Sequence, residues 1–213
     1  MKSYTTYLFD FDYTLVDASK GIIFCFKHVL TQHNYNSISD DEIRVTIGQT
    51  LESAFTQLTK ITEKTVIDSY VQEYISIANK HMTINTYLLP EILTVLKALK
   101  NRGAKLGIVS TKFRYRIEEF THQAFPKGFF DVIIGGEDVT HHKPSPEGIL
   151  LAINNLNEKK ENCLYIGDNI VDAKAAQAIS IDFYGVLTGT TQKEELIIYP
   201  HTTIADDLSN LLT

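Results

Sequence analysis

Cysteine is scarce. The chain holds two, Cys25 and Cys163, far apart and each flanked by apolar residues. No C-x-x-C pair and no Cys/His spacing of the zinc-binding kind occurs, which argues against a structural zinc site. Two lone thiols fit burial as small hydrophobes in a reducing compartment, so a cytoplasmic protein is expected. An excess of positive charge is missing too. Lys and Arg number 20 against 26 Asp and Glu, a formal charge of −6, which disfavours nucleic acid as a partner. No run of about 18 apolar residues exists, so no membrane span is expected. The first residues lack the long apolar segment and cleavage site of a secretory leader. Repeats and low-complexity segments are absent. What remains is an ordinary globular composition, 44% hydrophobic and 22% charged over 213 residues. That is enough for one domain, or for a core with a small insertion.

Two patterns divide the chain. Residues 5–9 are a short apolar, aromatic and β-branched run, suited to a buried strand. From about residue 18 to 83 only helices are expected. Residues 21–30 are apolar nearly all round, and Ser39 with three following acids starts a helix. Ile43, Ile47, Leu51, Phe55 and Leu58 keep helical spacing, with Gly48 as a break, and a further helix begins at residues 62–65. Beyond that, strands and helices alternate. Strands are expected over 105–109, 129–134, 163–166, 182–186 and 202–205, and helices over 93–101, 114–124, 146–155, 170–179 and 206–212. Such alternation implies an α/β fold, a Rossmann-like parallel sheet with helices on both faces and its site outside the carboxyl ends of the strands. The expected division is an α/β core of residues 1–16 and 84–213, with a small all-α insertion over 17–83.

The stretch YLFDFDYTLVD at residues 7–17 is the most informative. Asp10, Asp12 and Thr14 are spaced two apart, so in an extended segment they point one way, just past a strand end. Two carboxylates there need a cation or a proton to offset them. Taken alone, the same residues also suit a helix-capping turn. Other strand ends offer partners: Ser110, Thr111 and Lys112, then Lys143, then Asp168 and Asp172. Singly these read equally as turn, loop and cap residues. On one sheet edge they form a set. Carboxylates from different strands suit a hard cation such as Mg²⁺. A hydroxyl and an ammonium suit phosphate oxygens. One aspartate can attack phosphorus and another can move protons.

In four motifs the sequence resembles the haloacid dehalogenase superfamily: DFDYT at 10–14, IVS at 108–110, KPSP at 143–146 and IGDNIVD at 166–172. The helical insertion resembles that family's small cap, and the whole is similar to its phosphoglycolate phosphatase and β-phosphoglucomutase branch. The resemblance implies Asp10 as nucleophile and Mg²⁺ ligand, and Asp12 as general acid/base with its backbone carbonyl on the metal. Thr14 would orient the Asp12 loop beside the phosphate. Ser110 would bind phosphate, with Thr111 and Lys112 alongside. Lys143 would pair with Asp10 and the phosphate, Asp168 would be the second metal ligand, and Asp172 would orient Lys143 or a metal-bound water.

The chain departs from the family at Tyr13, where glycine is usual. A positive φ there would strain the backbone. Asp12 favours phosphoryl transfer over carbon–halogen cleavage, since halide departure needs no proton. Arg44, four residues before Gly48, matches a cap arginine near the substrate, and reads equally as a surface Arg beside a helix break. Lys112, Arg114 and Arg116 suit either a leaving group or a solvated helix start. His141 and His142 are expected to be loop histidines. Residues 185–189 are expected to pack nearby without taking part.

The expected function is a Mg²⁺-dependent phosphatase acting on a small phosphorylated metabolite of the phosphoglycolate type, through an aspartyl phosphate. A pyrophosphatase or phosphosugar mutase would use the same machinery. A receiver-like phospho-accepting module is the reading of another class, and the acid pair on strand one and the insertion of about 65 residues count against it. Monomer and homodimer are not distinguished.

Overall fold

β1, Thr6–Phe9, is buried along its whole length and takes an inner position in a sheet of six strands. The computed structural model describes residues 4–212. β1 pairs in parallel with β4, Lys105–Val109, on one side and with β6, Cys163–Gly167, on the other, Phe9 facing both Ile108 and Ile166. β5, Val132–Ile134, adds beside β4, while β7, Asp182–Val186, and β8, Thr203–Ala205, extend the other side. All five pairings are parallel. The order is β5-β4-β1-β6-β7-β8, so the winding reverses between β1 and β6, where a parallel sheet opens a crevice at its carboxyl edge. The strands are near-continuous Val, Ile, Leu, Phe and Tyr because both faces are covered.

The crossovers are helical: α5, Ile92–Asn101; α6, Arg114–Ala124; α7, Glu147–Asn155; and α8, Ile170–Ala178. Alanines at 173, 175 and 176 let α8 lie close to the sheet, in a core with Leu8, Ile149, Tyr165 and Phe183. Gly107 is demanded by close packing: a Cβ there would stand 2.6 Å from side-chain atoms of both Leu8 and Val132.

Residues 17–87 form a second compact unit and the rest of the chain forms the first. Within the second unit, α1, Ser19–Gln32, and α4, Lys64–His81, bracket the shorter α2, Asp40–Arg44, and α3, Leu51–Thr59. Phe26, Phe55 and Tyr74 pack ring against ring, with centroids 4.7 and 4.8 Å from Phe26. Ser39 and Glu42 make a capping box at α2, and Thr50 caps α3 after a left-handed Gly48 with φ of 96°.

Several boundaries differ from expectation. The insertion extends to residue 87, not 83, because a 3₁₀ turn at Thr83–Asn85 stays with α1, where Gly21 lies against Met82 and Asn85. α4 starts at Lys64 behind Glu63, within the expected 62–65. β5 begins at Val132 rather than 129, since Phe129 stacks on Phe125 and Phe130 meets it edge-on instead of entering the sheet. The closing helix over 206–212 is only a 3₁₀ turn at Ser209–Leu212, started by the Asp207 carboxylate accepting the Ser209 N–H. Two strands of two residues each, β2 at Val16–Asp17 and β3 at Tyr87–Leu88, form a separate small sheet too short for periodicity to reveal. Neither cysteine forms a disulfide, and both are buried. Among the described residues no helix is long and apolar enough to cross a membrane.

Leu8 is fully buried in the strand that carries the first acids. Leu8→Ala is expected to cost about 2–5 kcal/mol of unfolding free energy, read by urea denaturation followed by circular dichroism.

Candidate active site

Asp10 is the first residue past β1, and its N–H donates to the Ile166 carbonyl of β6 at 2.8 Å, which fixes it at the winding reversal. The chain then turns tightly. The Tyr13 N–H donates to Val16 and the N–H groups of Leu15 and Val16 to Phe11, at 2.7, 2.9 and 3.1 Å. Tyr13 sits in the left-handed region with φ of 59°. A non-glycine residue there costs on the order of 1 kcal/mol or more, so the feared strain is present. Its carbonyl accepts the Thr188 hydroxyl. Ser110 follows β4, tied through its N–H to Ile134 at 3.0 Å. Glycines after β5 let that loop press on the segment after β4: a Cβ on Gly136 would stand 2.5 Å from the Thr111 carbonyl. The Glu137 carboxylate then accepts the Arg114 N–H at 2.7 Å and stabilises the start of α6. Asn169 caps α8 behind Asp168, and its own N–H goes to Asp172.

Four aspartates are buried here, with exposures of 2% for Asp10, 9% for Asp12, 4% for Asp168 and 0% for Asp172. Two lysines divide them. The Lys143 ammonium lies 2.9 Å from Asp10 and 2.6 Å from Asp172, and Lys112 donates to both oxygens of Asp12 at 2.9 and 2.8 Å. Asp172 is saturated. Its Oδ1 also accepts the Tyr165 hydroxyl at 2.8 Å, and its Oδ2 takes the Asn169 N–H. The Thr14 hydroxyl donates to Asp168 at 3.3 Å. One oxygen each from Asp10, Asp168 and Asp172 gather within 4.8 Å of one another.

The charges respond to burial. Desolvation, then repulsion from Asp172 and Asp10, pushes the Asp168 carboxyl well above the carboxylate range. Burial raises Asp172 to about 6 against the pull of Lys143. Burial raises Asp12 as well, opposed by Lys112. Burial alone would lower Lys143, but Asp10 and Asp172 outweigh it and hold the ammonium well above its usual value.

This geometry revises several expectations. The carboxylates of Asp10 and Asp12 go to different lysines, because Asp12 lies inside the turn rather than on the strand. Lys112 holds Asp12 and is largely buried, so it is not a solvated helix start. The Thr14 hydroxyl is spent on Asp168. Arg116 is buried against Glu119 and stacks on Tyr115, and Arg114 pairs with Asp138. His141 pairs with Glu147. In the second unit, Arg44 is half-buried and pairs with Asp41, one turn back on α2.

The family model described as haloacid dehalogenase-like hydrolase matches residues 7–186. The chain belongs to the haloacid dehalogenase-like hydrolase family. It is 31% identical to a phosphoglycolate phosphatase of Aquifex aeolicus over 174 residues, 80% of this chain and 78% of that protein. It is 29% identical to Pyrophosphatase PpaX of Oceanobacillus iheyensis over 211 residues, 99% of this chain and 96% of that one. A crystal structure from Bacteroides fragilis, described as a haloacid dehalogenase-like hydrolase, superposes with a TM-score of 0.96 at 50% identity, covering 98% of this chain and 100% of that one.

One residue of this hydrolase site escaped the sequence reading. Tyr165 looks like any strand aromatic, and only the fold shows its hydroxyl beneath Asp172. Thr188 and Gly189, expected to pack nearby, touch the Tyr13 carbonyl and Asp168 from beyond β7.

Because the Asp172 carboxyl is raised from 3.8 to about 6, the folded state keeps a proton there that the unfolded chain has lost. Stability from this group therefore falls as pH rises through that window. In EDTA-treated protein, Asp172→Asn is expected to gain stability relative to the native chain between pH 3.8 and about 6 and to level off above it, in urea titrations across pH.

Proposed function

We propose that this hydrolase is a Mg²⁺-dependent phosphatase that releases phosphate from a small phosphorylated metabolite. The observation that carries the reading is the gathering of oxygens from Asp10, Asp168 and Asp172 beside the buried Lys143. The donor set is all oxygen, the chemistry hard cations take. With all four buried acids ionised, two ammonium groups would leave an excess of two negative charges, which one divalent ion would offset; without it, burial raises Asp168, Asp172 and Asp12 toward their protonated forms. Asp10, the Asp12 carbonyl and Asp168 would hold the ion. Asp172, with both oxygens engaged, would orient Lys143 instead. When bound, Mg²⁺ supplies positive charge that draws in a phosphate dianion.

In this reading the chain's own residues carry the steps. Lys143 and Ser110 hold phosphoryl oxygens. An Asp10 oxygen forms a bond to phosphorus as the ester oxygen departs, and Asp12 gives that oxygen its proton. Asp12, now a carboxylate beside Lys112, takes a proton from water. The water attacks phosphorus and the bond to Asp10 breaks, freeing phosphate. The helical unit corresponds in this reading to the family's cap, and two buried cysteines outside any disulfide support a cytoplasmic location.

A phosphoglycolate-type monoester is the first substrate to test, on the likeness to the Aquifex aeolicus enzyme. Pyrophosphate is the second, on the longer alignment to the Oceanobacillus iheyensis enzyme. A phosphate-release assay over phosphoglycolate, pyrophosphate, sugar phosphates and nucleotides separates them. Turnover is expected to vanish with EDTA and return with Mg²⁺, and Asp10→Asn is expected to abolish it. Asp12→Asn should lower kcat by roughly 10²–10⁴. Full activity of Asp10→Asn would end the mechanism.

A further inference from the structure

The loop after β7 carries no ionisable group, yet it touches both halves of the carboxylate site. Leu187 anchors it to the sheet, its N–H donating to Ala205 at 2.9 Å. The Thr188 hydroxyl then donates to the carbonyl of Tyr13, the left-handed residue of the turn that carries Asp12. One residue on, Gly189 lies against Asp168 so closely that a Cβ would stand 1.9 Å from its Oδ2 and 2.8 Å from its Cγ. No side chain fits there while Asp168 keeps its place. The other oxygen of Asp168 accepts the Thr14 hydroxyl from the same turn. Asp168 is thus confined between the Tyr13–Thr14 turn and Gly189, and the turn itself is tied back to Thr188.

We propose that Thr188 and Gly189 are positioning residues that set the spacing between the metal ligands at the ends of β1 and β6. Thr188 holds the turn against its backbone strain, and Gly189 gives the Asp168 carboxylate its seat. Tyr13 is what this holding acts on: glycine would adopt the left-handed conformation without cost, whereas tyrosine keeps it only where its surroundings hold it. The inference rests on the reading of Asp10 and Asp168 as metal ligands, and its test separates the two.

The test uses the full chain as Gly189→Ala, Thr188→Val and Thr188→Ser, with Thr190→Ala as a neighbouring control. Mg²⁺ alone is titrated calorimetrically into EDTA-treated protein. Amide exchange over residues 11–16 is followed by mass spectrometry without metal, and kcat and KM are measured with p-nitrophenyl phosphate. Gly189→Ala is expected to weaken Mg²⁺ binding by roughly 10–100-fold, the usual effect of removing a group that orients a ligand. Thr188→Val is expected to speed exchange of the Tyr13, Leu15 and Val16 amides and to lower kcat with KM little changed. Thr188→Ser should restore both, and Thr190→Ala should change neither. Should Gly189→Ala fail to fold, the Thr188 pair decides. Native Mg²⁺ affinity in Gly189→Ala, or native exchange and kcat in Thr188→Val, would overturn the proposal. A native chain that binds no Mg²⁺ would overturn the metal reading instead, while the metal-free exchange would still decide the role of Thr188.

Discussion

Four carboxylates are buried at one sheet edge with only two ammonium groups to meet them, and much of the architecture serves that imbalance. Like charges in a dry site repel strongly, so each is held by a named partner. Lys143 spans Asp10 and Asp172, and Lys112 grips Asp12 through both oxygens. Among the described residues Asp168 has no ammonium in ion-pair contact; it accepts the Thr14 hydroxyl at 3.3 Å, and burial with repulsion from Asp172 and Asp10 pushes its carboxyl well above the usual range. The unbalanced charge sits where a phosphatase of this family needs a cation. The two lysines also give the acids of the first turn different surroundings: Asp10 faces the metal-capable cluster and Asp12 faces Lys112.

The fold places this set with little machinery. A sheet whose winding reverses between β1 and β6 brings residues 158 positions apart, Asp10 and Asp168, to one crevice. Glycines do the close work. Gly167 leaves room for Asp172, Gly136 for the Thr111 carbonyl and Gly189 for Asp168, each at distances where a Cβ would collide.

The parallel sheet and the strand-end residues were legible because the signals are local: apolar runs bounded by turns, and acids, hydroxyls and a lysine at their ends. Pairings were not legible. That Lys112 reaches back 100 residues to Asp12, or that Thr14 reaches Asp168, depends on strand order and turn geometry rather than on neighbouring residues. Tyr13 was half legible. Its departure from glycine was visible, but its φ and the Thr188 contact that accompanies it were not. The tail over 206–212 misled because its leucines and acids fit a helix, whereas an Asp207 side chain starts a 3₁₀ turn instead. The Arg44–Asp41 pair along α2 was not legible either, since several acids lie within reach of that side chain.

The central claim is that the buried negative charge is closed by a divalent cation held through Asp10 and Asp168. Thermal unfolding of EDTA-treated protein with and without saturating Mg²⁺ near pH 7.5 tests it without any assumption about substrate. Binding at about 100 times the dissociation constant adds about 2.7 kcal/mol, a rise of roughly 5–10 °C for a chain of this size. The account predicts that rise in the native chain and its loss in Asp168→Asn. An unchanged melting temperature in the native chain, or an equal rise in Asp168→Asn, would contradict it.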